Sequence, residues 1–552
     1  MIQSINPAAC TGCGSCTKTC PLDVFRLDTR QESLSPCMAA CPAGVDIRGT
    51  HYRIQQGDLD GAARLYMRAQ PFPAITGRVC FHPCESACAR AAVDAPVNIN
   101  GVEQVLGDWA MDMPADRPVR RHIARVAVVG SGPAGLSCAW FLARMGYPVT
   151  VFEAAPFPGG MLRYGIPAYR LPDEIVTAQI ARLEALGVVF RCNTRVGRDG
   201  DISLKELKRR GFKAVMLAPG ASAGRRLALE GCDAEGVHWG LEFLRACRGD
   251  EQPRISGDVV VIGGGDVAVD AAITARRLGA QNVHMACLES RDAMPAYPHN
   301  QADAEQEGIV FHCGFGPARL LVDNGRITGI ELQACTALRD AQGRFAPVFD
   351  AARTLRLNAS HVIFAVGQVS ELDGFAEDVT VEHGRIVVED VTRATSQWGV
   401  FAAGDAATGP ASVVAAIAGG RECAVSIHRM LKGADLRGER DRTRPAVPEA
   451  SLPGRDIQKE PRHERARRPE DPQAPFAERL QALDREACFA EALRCMTCGS
   501  KARIVYTDDC MTCFSCELHC PSGAIFVHPF KERFARTLDQ VEVIPATDPQ
   551  RA

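Results

Sequence analysis

The sequence lacks the features of several common functional classes. Its 552 residues contain no apolar run of about eighteen residues, the length that a membrane-spanning helix needs. The N-terminus reads MIQSINPAACTGC and has neither the basic nor the apolar region of a secretory signal, so we expect a cytoplasmic protein. The formal net charge is only −3, which gives a nucleic-acid partner little electrostatic support.

Cysteine, in contrast, is abundant. The chain has 24 cysteines, many of them at spacings of two or three residues. A disulfide framework is implausible in a large cytosolic chain. Zinc is the rival interpretation, but zinc sites usually come as two separated pairs or include histidine. Runs of the form C-x2-C-x2-C-x3-C-P match the ferredoxin pattern instead, so we predict iron–sulfur clusters.

One such run lies near each end of the chain, and each is flanked by short β-like stretches. The two runs are Cys10, Cys13, Cys16 and Cys20, and Cys510, Cys513, Cys516 and Cys520. Together they predict one ferredoxin-like module that holds two [4Fe–4S] clusters and is built from both ends. In two-cluster ferredoxins the fourth cysteine of each run binds the other cluster, so Cys20 and Cys520 should exchange partners.

A dinucleotide site is predicted where VAVVGSGPAGLSCAWFLARMGYPVTVFEA reads as strand, glycine turn, helix and strand. In G-x-G-x-x-G the first glycine allows the tight turn and the second lets the pyrophosphate approach the backbone. The third lets helix and strand pack closely, and the phosphates then sit at the helix N-terminus. Glu153 ends the second strand, where it can accept hydrogen bonds from a ribose. The residues assigned to this turn are Gly130, Gly132, Pro133, Ala134 and Gly135.

A second unit, DVVVIGGGDVAVDAAITARRLGAQNVHMACLES, repeats the plan. Its predicted nucleotide-binding residues are Gly263, Gly264, Gly265, Asp266, Val267, Ala268 and the strand-end acid Glu289. Two units predict two bound dinucleotides. The alternative is a doubly wound fold in which one site is degenerate.

A third segment, GVFAAGDAATGPASVVAAIAGGRECA, ends a strand at Gly404 and Asp405 and begins a helix after Pro410. Such an aspartate can bind the ribityl chain of a flavin. The N-terminus of the following helix, at Ser412 and Val413, can face the flavin pyrimidine.

With these motifs the chain resembles the glutamate synthase small-subunit family of FAD- and NAD(P)-dependent electron-transfer proteins. The N-terminal part of dihydropyrimidine dehydrogenase and the NADH:ferredoxin oxidoreductase subunits of anaerobes belong with that family. The resemblance covers about residues 35–432 and 485–500. It includes FPGGMLRYGIPAYRLP, a flavin segment that contributes Gly159, Gly160, Met161, Gly165 and Ile166. It implies an α/β flavoprotein with two dinucleotide-binding domains, in which FAD lies on residues 120–230 and 360–432 and the nicotinamide nucleotide between them.

The resemblance also implies two clusters in a helical domain. Seven cysteines are available: Cys37, Cys41, Cys80, Cys84, Cys88, Cys495 and Cys498. In the family the signature LRCMTCG precedes the other ligands, whereas here it lies near the C-terminus and a linker would return it. Relatives supply an eighth ligand from an amide in a P-I-N-I segment, and PVNINGVEQ places Glu103 there. Gln104 is the neighbouring alternative, and an ordinary surface role for Glu103 is another.

By the same analogy, Cys37, Cys88, Cys495 and Cys498 share one cluster, and Cys41, Cys80, Cys84 and Glu103 share the other. The predicted organisation follows the chain: a ferredoxin half-module (1–33), a helical iron–sulfur domain (34–119), the first FAD part (120–232), an NAD-binding domain (233–359), the second FAD part (360–432), an extended linker (433–484), a returning helix (485–502) and the second ferredoxin half-module (503–552).

We therefore predict an oxidoreductase that joins NAD(H) to one-electron carriers through FAD and about four [4Fe–4S] clusters. Hydride transfer between nicotinamide C4 and flavin N5 needs alignment and no protein acid or base, so no catalytic side chain is assigned. No C-x4-C follows the flavin motif, which argues against a redox-active disulfide. The ferredoxin module suggests a partner, either a catalytic subunit that oxidises a 2-oxoacid or aldehyde or a ferredoxin-like carrier.

Two alternatives stay open: an NADPH-dependent glutamate synthase-type subunit, and a relay subunit whose nucleotide site is idle. The second strand of NADPH-using relatives commonly ends in paired arginines, which bind the 2′-phosphate. This chain has Leu288 and Glu289 at those positions. We therefore predict NAD(H), although Arg291, two residues further on, could compensate.

Overall fold

The structure is a computed structural model. It describes residues 1–6, 10, 15–22, 24–28, 34–114, 121–249, 252–438, 440, 457–469, 471, 473–496, 498, 501–505, 507–520 and 523–528. Cys13, one of the predicted cluster ligands, lies outside these residues.

The first 114 residues are one small β–α–β unit followed by a helical region. The elements are β1 (Ile2–Ile5), α1 (Ser15–Thr19), β2 (Phe25–Asp28), α2 (Pro36–Ala40), α3 (Ile47–Gln55), α4 (Leu59–Tyr66), α5 (Pro73–Val79), α6 (Pro83–Ser86) and α7 (Ile99–Asp112). Helices α2, α5 and α6 begin with proline, which lacks the N–H that a first helical residue leaves unpaired. The carboxylate of Asp46 caps α3 and the amide of Asn98 caps α7, each through a backbone N–H three residues on.

Alternating strands and helices follow. The elements between residues 121 and 249 are β3 (Arg125–Val129), α8 (Pro133–Arg144), β4 (Val149–Phe152), α9 (Met161–Tyr164), α10 (Asp173–Ala185), β5 (Val189–Arg191), α11 (Leu204–Arg209), β6 (Phe212–Leu217), β7 (Ala223–Gly224), β8 (Val237–Trp239) and α12 (Gly240–Cys247). Residues 252–369 add β9 (Asp258–Ile262), α13 (Asp266–Arg277), β10 (Asn282–Cys287), α14 (Pro298–Gln306), β11 (Val310–Cys313), β12 (Phe315–Asp323), β13 (Arg326–Arg339), β14 (Phe345–Asn358), β15 (His361–Phe364) and β16 (Gln368–Val369).

The remaining described elements are β17 (Val381–Glu382), β18 (Arg385–Ile386), β19 (Val400–Ala402), α15 (Asp405–Thr408), α16 (Val413–Leu431), α17 (Arg485–Arg494), β20 (Lys501–Ile504), α18 (Ser515–Leu518) and β21 (Ile525–Val527). None of the helices that the structure describes is long and apolar enough to cross a bilayer.

Two parallel five-stranded sheets form the centre of the molecule. One has the order β19-β6-β3-β4-β5 and the other β11-β10-β9-β15-β8. Both faces of these sheets are covered, one face of the second sheet by the antiparallel sheet β12-β13-β14 and its other face by helices. The inner strands are therefore almost continuously apolar, as VAVV and VVVI are. The chain leaves the first sheet after β6 and returns to it as β19, so the second sheet is an insertion. The short strands β7 and β16 pair antiparallel where the two connections run.

The two ends of the chain meet as predicted. Strand β1 pairs antiparallel with β21, and β2 with β20. Ile2, Phe25, Ile525 and Val527 are buried together with cysteines of both runs. Because each end supplies only half of this core, neither half can bury its apolar residues without the other.

Helix α17 and the segment before it lie against the helical region. The Gln55 side chain donates to the Ala492 carbonyl at 2.7 Å. We call residues 457–469 the return segment, because this stretch brings the chain back to the region of α3 and α7. There the Arg90 guanidinium donates to the Gln458 carbonyl at 2.7 Å, and the Asn98 amide donates to the His463 carbonyl at 2.8 Å.

Candidate functional site

The first glycine turn follows β3 and has the predicted sterics. Gly130 has φ +93°, and a Cβ on it would lie 2.2 Å from the Ala218 carbonyl oxygen. A Cβ on Gly135 would lie 2.0 Å from the Gly130 carbonyl oxygen, which accounts for the third glycine as a close-packing position. Gly132 faces open space, so its backbone is free for an anion to approach.

Glu153 ends β4 beside this turn. Its carboxylate accepts hydrogen bonds from the backbone N–H groups of Ser131 at 2.9 Å and Ala155 at 2.8 Å, and from the Ser131 hydroxyl. The Gly159–Gly160 turn closes on the same place, because a Cβ on Gly160 would lie 2.8 Å from the Gly132 Cα. The acid therefore borders the glycine turn, as expected of a ribose acceptor.

Asp405 stands at the start of α15, after Gly404 at φ +71°. Its carboxylate accepts from the Ala411 backbone N–H at 3.2 Å, and burial raises its pKa to about 6. Ser412 caps α16 through the Ala415 backbone N–H at 3.2 Å. The exposed N-terminus of a long helix and a buried carboxyl group thus face the same space.

That space is a cavity of about 1580 Å³. The predicted FAD residues that line it are Gly130, Gly132, Pro133, Ala134, Glu153, Gly160, Met161, Gly165, Ile166, Gly404, Asp405, Ser412 and Val413. Gly135 and Gly159 lie behind this surface. Ligand pockets for a single drug-sized molecule are typically about 300–1,000 Å³, so this cavity has room for an extended dinucleotide and more. The residues present therefore fit FAD.

The second glycine turn lies between β9 and α13. Gly263 has φ +145°, and a Cβ there would lie 2.3 Å from the Ala365 carbonyl oxygen, whereas Gly265 faces open space. Asp266 and Val267 line the same large cavity, but Gly263, Gly264, Gly265, Ala268 and Glu289 do not. The N-terminus of α13 thus points its first residues towards the FAD side.

Glu289 follows β10 and turns back over this glycine turn. Its carboxylate oxygen lies 2.9 Å from where a Cβ on Gly264 would be. Arg291, the predicted compensating cation, is held elsewhere: its guanidinium pairs with Glu305 and lies 4.0 Å from the centre of the Phe311 ring. An acid therefore borders the expected ribose position, and the predicted compensating arginine is engaged by other residues.

The first set of helical-region cysteines comes together as predicted. Cys37, Cys88, Cys495 and Cys498 line one small pocket, although the first two lie more than 400 residues from the last two. Burial raises the pKa of the Cys37 thiol to about 12, and the neighbouring thiols of Cys495 and Cys88 add to that shift. Four half-buried thiols in one place need a cationic centre to be stable as thiolates, which an iron–sulfur cluster provides.

The three cysteines of the second set, Cys41, Cys80 and Cys84, lie around its fourth member, Glu103. Burial raises the pKa values of the Cys41, Cys80 and Cys84 thiols, and the Glu103 carboxylate adds to each shift. Glu103 is itself buried, and burial raises its pKa. Its oxygens accept from the Gln70 amide at 3.1 Å, from the Asn100 amide at 3.4 Å, and from the Thr76 hydroxyl. A surface role for Glu103 is therefore wrong, and the donor set fits a cluster with three thiolates and one carboxylate.

The ferredoxin cysteines also come together across the chain. Cys20 lines a pocket with Cys510, Cys513 and Cys516, which is the set that exchange of the fourth ligands predicts. The Ile2 N–H points at the Cys510 sulfur at 3.2 Å, and the Ala502 N–H at the Cys10 sulfur at 3.3 Å. The reciprocal set around Cys520 stays a prediction, because Cys13 lies outside the described residues. Among those residues, no three His, Cys, Asp or Glu side chains are grouped to hold a single metal ion.

Residues 80–82 of the helical region, which include the predicted cluster ligand Cys80, contact both predicted nucleotide sites. Cys80 and Phe81 line the large cavity together with the FAD residues. The Phe81 ring stacks on Tyr297 with ring centres 4.8 Å apart, and the His82 ring lies 5.3 Å from that of His299. Tyr297 begins the approach to α14, whose Asn300 donates to the Asp266 carboxylate at 2.7 Å.

Sequence reasoning missed a buried polar set between the two sheets. Arg170, from the flavin segment, pairs with Asp270 of α13 at 2.5 Å and donates to Asn300 at 2.6 Å. The Tyr169 hydroxyl donates to Asp270 at 3.2 Å, and Arg277 lies over the Tyr169 ring. Burial raises the pKa of Asp270 to about 6, although Arg170 opposes the shift. The sequence offered one signal of this set: Asp270 lies among the buried apolar residues of the predicted helix α13.

Three family models match the chain. The model for pyridine nucleotide-disulphide oxidoreductases matches residues 124–420, more than half of the sequence. The model for dihydropyrimidine dehydrogenase domain II, 4Fe-4S cluster, matches residues 31–115, and a 4Fe-4S binding domain matches residues 4–26. The chain belongs to the pyridine nucleotide-disulphide oxidoreductase family.

Relatives agree with this assignment. The beta subunit of an NADP(+)-dependent formate dehydrogenase from Moorella thermoacetica is 37% identical over 430 residues, which cover 72% of this chain and 60% of that protein. The NAD-dependent dihydropyrimidine dehydrogenase subunit PreT of Escherichia coli K12 is 35% identical, with 72% of this chain and 92% of that protein covered. The glutamate synthase [NADPH] small chain of Mycobacterium tuberculosis is 36% identical, with 72% and 86% covered.

The match spans less than two thirds of the length of the first of these relatives. The predicted resemblance, the two-sheet flavoprotein fold with iron–sulfur domains, and the oxidoreductase class are confirmed. The first matched model supports FAD and NAD(P), and the other two support [4Fe–4S] clusters. The cluster count, the nucleotide preference, the individual ligands and the domain boundaries stay predictions.

Proposed function

We propose that this chain is an electron-transfer subunit that takes electrons from NADH and delivers them singly to a partner, or runs the same path in reverse. FAD would be held by the glycine turn, Glu153, the Gly159–Gly160 turn and Asp405, and NAD(H) by the second turn and Glu289. When bound, FAD supplies the exchange between a hydride and single electrons.

One observation carries this proposal. The large cavity is lined by the FAD turn, by Asp266 and Val267 from the NAD turn, and by Cys80 from the second cysteine set. The chain's own residues would thus bring the proposed two-electron site and the proposed one-electron site to one cavity. Within it the Arg170–Asp270 pair holds the flavin segment against α13, which would align the two nucleotides.

Four clusters would complete the path. Two cysteine pairs would connect the two helical-region clusters. In each pair, Cys37 with Cys41 and Cys84 with Cys88, one cysteine would bind each cluster. The ferredoxin module would then carry electrons on. Because the fourth cysteine Cys20 lines the pocket of the opposite run, the two ends would have to be in place together for either cluster to form.

The nucleotide would be NAD(H). Glu289 borders the glycine turn at the ribose position, where a carboxylate accepts from two hydroxyls and repels a 2′-phosphate. Arg291 is engaged by Glu305 and Phe311. The first relative named above uses NADP(+), so this preference is proposed for this chain alone.

The partner would be a catalytic oxidoreductase subunit in the cytoplasm. Relatives are named as subunits of formate dehydrogenase, dihydropyrimidine dehydrogenase and glutamate synthase. Purification of the full chain from its host without oxygen should yield a complex with such a subunit, with about sixteen irons per FAD by ligand stoichiometry. About eight irons per FAD would contradict the four-cluster proposal, and no NADH oxidation by a flavin-replete complex would favour the idle-site alternative.

A further inference from the structure

The return segment places two arginines against the second cluster set. Its composition is charged and rich in proline, which predicts an extended linker on the surface. In the structure it does run along the helical region, but Arg462 and Arg465 turn inward. The Arg465 guanidinium donates to the Gly77 carbonyl at 2.9 Å, the Gln104 carbonyl oxygen at 3.0 Å and the Asn100 side-chain oxygen at 2.8 Å.

These contacts end on the elements that carry the predicted ligands. Asn100 donates its amide to Glu103 at 3.4 Å and to the Thr76 carbonyl at 3.1 Å, close before Cys80. The backbone N–H of Asn100 donates to Glu85, the neighbour of Cys84, at 2.7 Å. The Arg462 guanidinium forms an ion pair with the other carboxylate oxygen of Glu85 at 2.8 Å.

The polar residues beneath Arg465 are buried. Glu85, Asn100, Glu103 and Gln104 are each 5% exposed or less. In such surroundings a fixed charge acts more strongly than in water. Three thiolates and one carboxylate give a cluster a more negative charge after it takes up an electron, and a nearby cation stabilises that reduced form. Net charge and hydrogen bonding are among the terms that set cluster potentials.

We infer that Arg465 is a positioning residue for electron transfer, which raises the reduction potential of the cluster held by Cys41, Cys80, Cys84 and Glu103. This inference rests on the proposed function, because it needs that cluster to be present. Its consequence is that the linker that returns Cys495 and Cys498 to one cluster also sets the potential of the other. Since Cys80 lines the flavin cavity, that potential governs how readily this cluster exchanges electrons with the nucleotide site.

The test is a redox titration of the full-length holoenzyme, without oxygen, followed by electron paramagnetic resonance. Arg465→Gln removes the charge, and Arg465→Lys keeps it while losing the three-way hydrogen bonding. Arg467→Gln is the matched control, since Arg467 lies two residues on and pairs with Asp303 at 2.5 Å on an exposed surface. Glu103→Cys identifies the signal of the cluster concerned.

For Arg465→Gln we expect a lower midpoint potential of that signal alone. The ratio of oxidised to reduced cluster at the wild-type midpoint should rise at least tenfold, which is 59 mV for a one-electron couple. Arg465→Lys should shift less, and Arg467→Gln should not shift. Iron and FAD contents should match the wild type. A purely structural role of Arg465 would not predict a shifted potential together with full iron and FAD contents.

An unchanged midpoint in Arg465→Gln, with full iron content, would overturn the inference and leave the proposed function intact. An equal shift in Arg467→Gln would also overturn it. If Arg465→Gln loses iron, Arg462→Gln is measured instead, and absence of a shift in that variant refutes the electrostatic role. If Glu103→Cys alters no signal, the ligand assignment fails, and the inference fails with it.

Discussion

The nucleotide preference follows from a single carboxylate. Glu289 lies against Gly264 at the end of β10, where the adenosine ribose of a dinucleotide would sit. Two like unit charges 4 Å apart repel by about 4 kcal/mol at an effective dielectric constant of 20. Glu289 is half-buried, so solvent and counterions will remove much of this repulsion. A remainder of about 1.4 kcal/mol suffices for a tenfold preference in kcat/KM.

We therefore expect NADH to exceed NADPH at least tenfold in kcat/KM for viologen reduction by the anaerobic holoenzyme. Replacing both Leu288 and Glu289 by arginine should remove that preference, because a guanidinium pair can bind the 2′-phosphate. Glu289→Gln should give an intermediate value, since it loses the repulsion without gaining a cation.

Arg291→Ala supplies the matched control. Because this guanidinium is bound by Glu305 and stacked on Phe311, its loss should change the NADPH rate less than about twofold. Equal or better wild-type turnover with NADPH would refute the reasoning about Glu289. A large loss of NADPH activity in Arg291→Ala would show that this arginine reaches the phosphate after all.

Further predictions concern the ligands, the buried acids and the joined ends. Glu103→Ala should lower the iron content by up to about four per chain with FAD retained, and Glu103→Cys should not; equal iron in both would remove Glu103 from the ligand set. The pKa of Asp405 is raised in the folded chain, so its stabilising contribution is present below pH 4 and is lost as pH rises through about 6. In the flavin-free protein Asp405→Asn should therefore gain up to about 3 kcal/mol of unfolding free energy at pH 8 relative to pH 4, and a pH-independent difference would contradict the burial argument. Glu491→Ala removes one of the two carboxylates that pair with the buried Arg494 at 2.9 Å, the other being Asp94, and it leaves the backbone N–H groups of Asn98 and His463 without their acceptor. It should cost about 3–5 kcal/mol in chemical denaturation, against less than about 1 kcal/mol for Asp303→Ala at the Arg467 pair, and similar losses would argue against the buried role. A chain cut after Gly499 loses β20 and β21 and should lose both ferredoxin signals, whereas an intact signal from Cys10, Cys13 and Cys16 would count against exchange of the fourth ligands.

Local sterics made much of the fold predictable. The glycine pattern at Gly130–Gly135 predicts a tight turn between a strand and a helix, because a Cβ on the first glycine, Gly130, or the third, Gly135, would collide with a backbone oxygen. Cysteine spacing is equally restrictive and predicted iron–sulfur clusters, whereas the family resemblance implied that Cys37 and Cys88 would meet Cys495 and Cys498, which line one pocket with them. These predictions held because the constraint lies within a few residues or within a known ligand pattern.

The return segment shows why the rest could not be predicted. Its arginines look like solvated charges, because their partners, Gly77, Asn100 and Gln104, lie more than 350 residues away. The Arg170–Asp270 pair is similar, since Arg170 lies in the flavin segment and Asp270 in α13, 100 residues further along the chain. Long-range polar contacts leave no periodic signal in the sequence, so only the structure reveals which charges are buried.

The central claim is that nucleotide and clusters share electrons. The most direct measurement is to reduce the isolated full chain completely without oxygen, remove the reductant, add NAD⁺, and count the NADH formed at 340 nm while the cluster signals are followed. Four one-electron clusters and a two-electron flavin hold about six electrons, so the account predicts up to about three NADH per chain, with cluster signals lost in step. One NADH at most, with the cluster signals unchanged, would show that the clusters do not exchange electrons with the nucleotide site and would contradict the account.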